Sequence, residues 1–180
     1  ISVVAGSGGD NVLNLANATG ATVNRGRGGT LQFVDDESNG GTARIVYGGA
    51  GPSARIGSWA TYGTNYGGGA FTWASTDASS NVVAFGEAGY SVNTFGAGNH
   101  VHVDGLPPVP VADDAVASLR YTNATALDMG GFTLDVQEGG ILITPTVSGA
   151  AGIGNGQLTS SGGELIVHNY AGGAGSFAIS

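Results

Sequence analysis

Apolar residues recur along this chain in short runs at strand spacing, separated by breaks rich in Gly, Asn and Ser. Val3 is followed by Val12, Leu13 and Leu15, then Val23, then Leu31 and Phe33, then Ala43, Ile45 and Tyr47 in strict alternation. The breaks between them, Gly8-Gly9-Asp10-Asn11, Asn17 to Gly20 and Gly26 to Gly29, carry turn chemistry. Such runs are too short for amphipathic helices and predict strands. One pattern is written twice: Gly139-Gly140-Ile141-Leu142-Ile143-Thr144 and Gly162-Gly163-Glu164-Leu165-Ile166-Val167, 23 residues apart. A period of that size marks a unit that cannot bury its apolar face alone and stacks on a copy of itself. Phe132, Leu134 and Val136 precede the first copy, Ile153 and Leu158 lie between the two, and Phe177 and Ile179 follow the second. The expected fold is therefore all-β: a parallel β-helix, or β-solenoid, with each strand about 4.8 Å above its counterpart in the previous coil. The hand of parallel crossovers makes it right-handed.

The run Leu106-Pro107-Pro108-Val109-Pro110 interrupts this pattern. Proline donates nothing to a ladder and fixes an extended backbone. The expected organisation is one continuous solenoid domain: irregular coils with Gly-rich loops over 1–106, a Pro-rich crossing or cap over 107–116, and regular rungs over 117–180. The best helical segment is Asp113 to Leu119, and it is short. Thirty-five glycines in 180 residues leave little room for longer helices, since each costs about 1 kcal/mol relative to alanine. Disorder is disfavoured by the 41% of hydrophobic residues, which are spread evenly.

Charge narrows the function classes. The five basic residues are all arginine, against thirteen acidic ones, for a net charge of −8. No basic stripe exists to neutralise phosphates, so neither nucleic acid nor an anionic membrane surface is an expected partner. No run approaches 18 apolar residues, so no helical bilayer span is expected. There is no cysteine, which excludes disulfides and thiolate metal sites. The first residue, Ile1, reads as an internal residue of a longer or processed product.

Several residues could carry chemistry. Strand alternation places His100, His102 and Asp104 on one face, a possible three-ligand set for Zn²⁺; the outer two lie about 13 Å apart along a strand, which favours a plain His-rich polar face. Asp35, Asp36 and Glu37 are expected in a loop that ends at Gly41, where they could hold Ca²⁺, although their spacing matches no calcium loop. Trp59 and Trp73 are either a platform for a polysaccharide or interior packing; their small neighbours Ser58, Ala60, Thr72 and Ala74 favour packing. Arg25 and Arg27 read as a solvated edge. Asn17 and Asn123 each begin an Asn-Ala-Thr acceptor pattern, which counts for little. His168 is expected to point out of a strand end beside Tyr170. No nucleophile elbow is present, and Glu138 and Glu164 sit at different offsets from their glycine pairs, so they do not form a catalytic ladder. No catalytic residue is assigned.

The ordered blocks Gly-Thr-Leu-Gln-Phe-Val, Ile-Gly-Ser-Trp-Ala-Thr, Phe-Thr-Trp-Ala, Asn-Val-Val-Ala, Ser118-Leu119-Arg120-Tyr121, Gly-Gly-Ile-Leu-Ile-Thr-Pro and Gly-Glu-Leu-Ile-Val-His-Asn-Tyr resemble those of bacterial autotransporter-associated β-strand repeat proteins. The resemblance covers roughly Gly29 to Ser180. It implies a secreted or cell-surface solenoid passenger without enzymatic activity, and this chain lacks the family's tandem continuation and membrane barrel. The apolar stretches around Val3 and Val4 and around Phe177 and Ile179, with no charged or proline caps, would be assembly ends. The expected function is a structural one: an extracellular β-solenoid that self-associates end to end in a fibre, sheath or stalk. An adhesin or a carbohydrate-binding module is the alternative, and a polysaccharide-degrading enzyme is less favoured still.

Overall fold

The computed structural model describes residues 2–4, 10–15, 26–36, 41–48, 53–64, 69 and 71–180. Val23, Arg25, Glu37 and the Asn17 acceptor pattern lie outside the described residues. Among those described, regular structure is all β apart from short 3₁₀ turns, and most strand pairs are parallel. No helix is long and apolar enough to cross a membrane. The chain divides into two compact units, Ile1–Phe85 and Gly86–Ser180, so the Pro-rich stretch falls inside the second.

In the first unit, β1 (Ser2–Val4) pairs in parallel with β3 (Leu31–Asp36), and β3 with β5 (Ala60–Gly63). A second ladder joins β2 (Asp10–Asn14) to β4 (Thr42–Val46), also in parallel. Ser2 stands opposite Val34 and Asp10 opposite Thr42, so both ladders advance by the same coil of 32 residues. Phe33, Ile45, Tyr47, Ala60, Tyr62, Ala74 and Val82 form the core, with Trp59 packed half-buried against it. The coil pattern then breaks: β5, β6 (Thr72–Thr76) and β7 (Val82–Ala84) pair antiparallel. The β6–β7 link is too short for a parallel crossover. Asp77 tightens it, its Oδ1 accepting from the N–H groups of Ser79 and Asn81 at 2.8 and 2.9 Å.

The second unit is parallel throughout. Its larger sheet runs β8 (Tyr90–Val92), β9 (His100–Val103), β10 (Asp114–Tyr121), β12 (Thr133–Ile143), with β14 (Gln157–Thr159) and β15 (Ile166–Asn169) both on the far side of β12. Its smaller sheet runs β11 (Ala126–Asp128), β13 (Ala150–Gly154), β16 (Ser176–Ile179). From β10 onward the chain visits the two sheets alternately. Register stacks like on like: Val101, Leu119, Ile141 and Val167 form one column, and Leu127, Ile153 and Ile179 another. The cluster around them is fully buried at Val101, Leu119, Tyr121, Ile141 and Ile143. Tyr121 spans the interior, donating its hydroxyl to the Gly152 carbonyl at 3.2 Å and meeting Phe177 edge-on at 5.3 Å. Burial pushes that hydroxyl far above the ordinary tyrosine pKa.

Two expectations are corrected here. Asp113 to Leu119 is not helical: from Asp114 it is β10, a strand paired on both sides and buried at Val116 to Tyr121. Tertiary pairing overrides the weak local preference. The coil is also not 23 residues: Gly140 stands opposite Ile166 and Ile141 opposite Val167, 26 residues on. The difference lies in a bulge. Between its paired positions β10 carries one residue, Ala117, where β12 carries three, Gln137 to Gly139. The next coil bulges further, holding Ser160 to Leu165 between β14 and β15, and the second glycine pair lies in that bend.

Gly139 makes the bulge possible. Its φ is +74°, and a Cβ there would fall 1.8 Å from the Glu164 carbonyl oxygen. Gly173 also has positive φ, +59°, but faces open space. Gly173→Ala is expected to cost about 1–2 kcal/mol from backbone strain alone. Gly139→Ala adds the clash and should cost about 2–5 kcal/mol. Urea midpoints of the two variants check the order; equal losses would mean that the bulge is not held as described.

Candidate functional site

Two features stand out in the second unit: an open coil edge and a buried ionic cluster. The edge is the last coil, β14 to β16. Its strands pair on one side only. Val167 and Ile179, the terminal members of the two apolar columns, are 41% and 50% exposed, while Ile141 and Ile153 beneath them are 0% and 4% exposed. Phe177 is half-buried through its contact with Tyr121. The predicted ends therefore divide: Ile179 is open, and Phe177 belongs to the core. At the other predicted end, Val3 and Val4 lie in β1, the edge strand of its sheet.

The ionic cluster forms where alternation turns Arg120 to the face opposite Leu119 and Tyr121. Its side chain is 3% exposed. Its guanidinium grips Glu87 bidentately, Nη1 to Oε1 at 2.7 Å and Nη2 to Oε2 at 2.5 Å, and lies 3.9 Å from the Tyr90 ring centroid. Glu87 belongs to a 3₁₀ turn, Glu87–Gly89, directly before β8. Nη2 is also 3.0 Å from Nδ1 of His102. Arginine has no acceptor, so Nδ1 must accept, and Nε2 carries the proton that it donates to Thr122 Oγ1 at 2.6 Å. His102 is thereby fixed neutral. Burial and the Arg120 charge hold its pKa below the ordinary 6.5. The Arg120 hydrogen bonds hold Glu87 below its ordinary 4.5.

This arrangement accounts for the histidine motif. His100 and His102 share a face of β9 as expected, but Nδ1 of His100 meets Ser118 Oγ at 2.9 Å, and both ring nitrogens of His102 are engaged. Asp104 is exposed beyond the strand end. Among the described residues no three His, Asp or Glu side chains converge as a metal site, so the Zn²⁺ set does not form. The hydroxyls of β10 and the residue after it occupy those imidazoles instead. For Ca²⁺, Asp35 and Asp36 lie in strand β3 and not in a loop. Successive strand residues face opposite ways, and Asp35 accepts the Tyr62 hydroxyl at 2.5 Å, so the two carboxylates do not converge.

Trp73 is fully buried, with Arg55 stacked 5.4 Å from its ring centroid, and has no face for a sugar; Trp59 packs on the first core. Arg27 is exposed. His168 stacks on Tyr170 but is 6% exposed, so it does not project from a strand end. Sequence reasoning missed Glu87, Tyr90, Ser118, Arg120 and Thr122. The available signal was one arginine inside the alternating run Val116 to Tyr121, because a charge on a two-sided strand demands a partner.

Both depressed pKa values make acid destabilising. A neutral His102 contributes stability that is fully present above 6.5, where the unfolded residue is also neutral, and lost as pH falls through the folded value. Glu87 adds a loss that begins only below 4.5. Denaturation midpoints should therefore fall in two stages on acidification. His102→Gln, which keeps one acceptor and one donor, should flatten the first stage and leave the second; an unchanged first stage would refute the assignment. No family model, curated protein or solved structure matches the chain, and its functional reading rests on this geometry.

Proposed function

We propose that this chain is a segment of an extracellular structural protein, a parallel β-solenoid whose coils continue end to end in a surface fibre, sheath or stalk of a bacterium. The observation that carries the reading is the open last coil. Its two apolar columns run from a buried interior straight to an exposed edge, with no charged residue or proline across them at Val167 and Ile179. An edge of this kind templates pairing with a further coil. Absence of lysine, a net charge of −8 and abundant small residues suit a closely packed, soluble exterior. The sugar-binding alternative would need an exposed aromatic patch, and Trp73 supplies none.

Negative-stain electron microscopy at rising protein concentration, with and without EDTA, tests the proposal. Filaments with a lengthwise repeat, unaffected by EDTA, are the expected result. Uniform short particles at every concentration would overturn self-stacking, and filaments that dissolve in EDTA would overturn assembly by strand pairing alone.

A further inference from the structure

The edges of the two units differ in what they offer an incoming strand, and the difference gives the stack a direction. Consider first the edge at β11. The Gly152 N–H donates to the Thr125 carbonyl and the Met129 N–H to the Gly154 carbonyl, both at 3.0 Å. Thr125, Leu127 and Met129 thus turn their backbone toward β13, and Ala126 and Asp128 turn theirs away. The space on that side holds the Pro-rich segment. Carrying the register Asp114 opposite Leu134 back four residues sets Pro110 beside Gly130. The contacts agree: a Cβ on Gly130 would lie 3.0 Å from Val109 Cγ1 and 3.2 Å from the Pro110 carbonyl oxygen. Three prolines in four residues have no N–H to give, so this edge is covered by a segment that cannot extend the ladder.

The last coil is the opposite case. Tyr170 N–H donates to the Ile143 carbonyl at 2.9 Å, Ser176 N–H to Gly149 at 3.1 Å, and Ser180 N–H to Ile153 at 3.0 Å. The intervening residues Val167, Asn169, Phe177 and Ile179 therefore aim their backbone groups along the stack, away from β12 and β13. Three of these four are apolar, and their columns end there. An incoming coil would satisfy the backbone and cover Val167 and Ile179 in one step.

From these edges, and resting on the structural reading above, we infer that the β15–β16 edge is the acceptor surface for the β1–β2 coil of a second copy of this chain. The β1 and β2 strands are the first-coil edges of the first unit's two ladders, parallel to β3 and β4. Each edge thus offers one strand per sheet, in the same chain order. Both units add later coils on one side, so a free β1–β2 edge meets a free β15–β16 edge with all strands still parallel. The contact is head to tail, between different surfaces, and it does not close on itself. The proline segment leaves β11 out of this pairing.

Val167→Pro/Ile179→Pro tests the inference, since it removes outward N–H groups and leaves the bonds to β12 and β13 intact. Val167→Lys/Ile179→Lys is the second variant, in case the prolines impair folding. Sedimentation velocity over a concentration series should show wild-type association, weakened about tenfold or more in both variants. With no native cysteine, copies carrying Asn11→Cys mixed with copies carrying Ala178→Cys should yield a mixed disulfide on oxidation. Association unchanged in both variants, or disulfides only between Ala178→Cys copies, would overturn the inference and leave stacking to another surface. A wild type monomeric throughout would overturn both.

Discussion

In-register parallel pairing between successive coils is the constraint on which the second unit depends. It aligns Leu119 with Ile141 and Ile141 with Val167, so each apolar side chain lands on another and the column excludes water. A slip of one residue would turn every one of them to the other face. Side-chain clamps hold the same register from outside the core: Asp113 Oδ1 accepts the Thr133 N–H and Asp135 Oδ1 the Ser161 N–H, at 2.8 and 2.7 Å, each reaching one coil along. Thr146 does likewise, donating to the Thr122 carbonyl at 2.7 Å. Polar groups thus specify the alignment that burial stabilises.

The ionic cluster belongs to the same logic. A strand paired on both sides and buried on both faces has no water for an arginine, and removing a partner from a buried charge is costly. Glu87 therefore sits in the turn that leads into β8, where it reaches Arg120, and His102 completes the guanidinium's shell as a neutral acceptor. The cost of Arg120 is offset by partners from three elements, which ties the first strand of the larger sheet to its middle.

Much of this fold was legible in the sequence because strand physics is local. Short alternating runs, glycine-rich turns and a repeated block lead to an all-β chain with parallel coils, and prolines 107, 108 and 110 mark a place where a ladder stops. Coil length was not legible, since Gly139 and Gly162 look equivalent in sequence while one sits in a bulge and the other in a bend. The antiparallel pairing of β6 and β7 depends on a turn built by Asp77, and the strand at Asp114 exists because β9 and β12 flank it. Metal ligands were over-read for a related reason: alternation gives the face of His100 and His102, and only register reveals that Ser118, Arg120 and Thr122 already occupy it.

The central claim is that coils stack with the register Ala150 opposite Ser176, and engineered disulfides test it most directly. Paired strand residues bring Cα atoms within bridging distance, and the native chain has no cysteine to interfere. Ala150→Cys/Ser176→Cys, at 26-residue spacing, is predicted to close a disulfide readily under mild oxidation, while Ala151→Cys/Ala174→Cys, at the 23-residue spacing of the glycine pairs, stays reduced. Closure of the second pair in preference to the first would contradict the account.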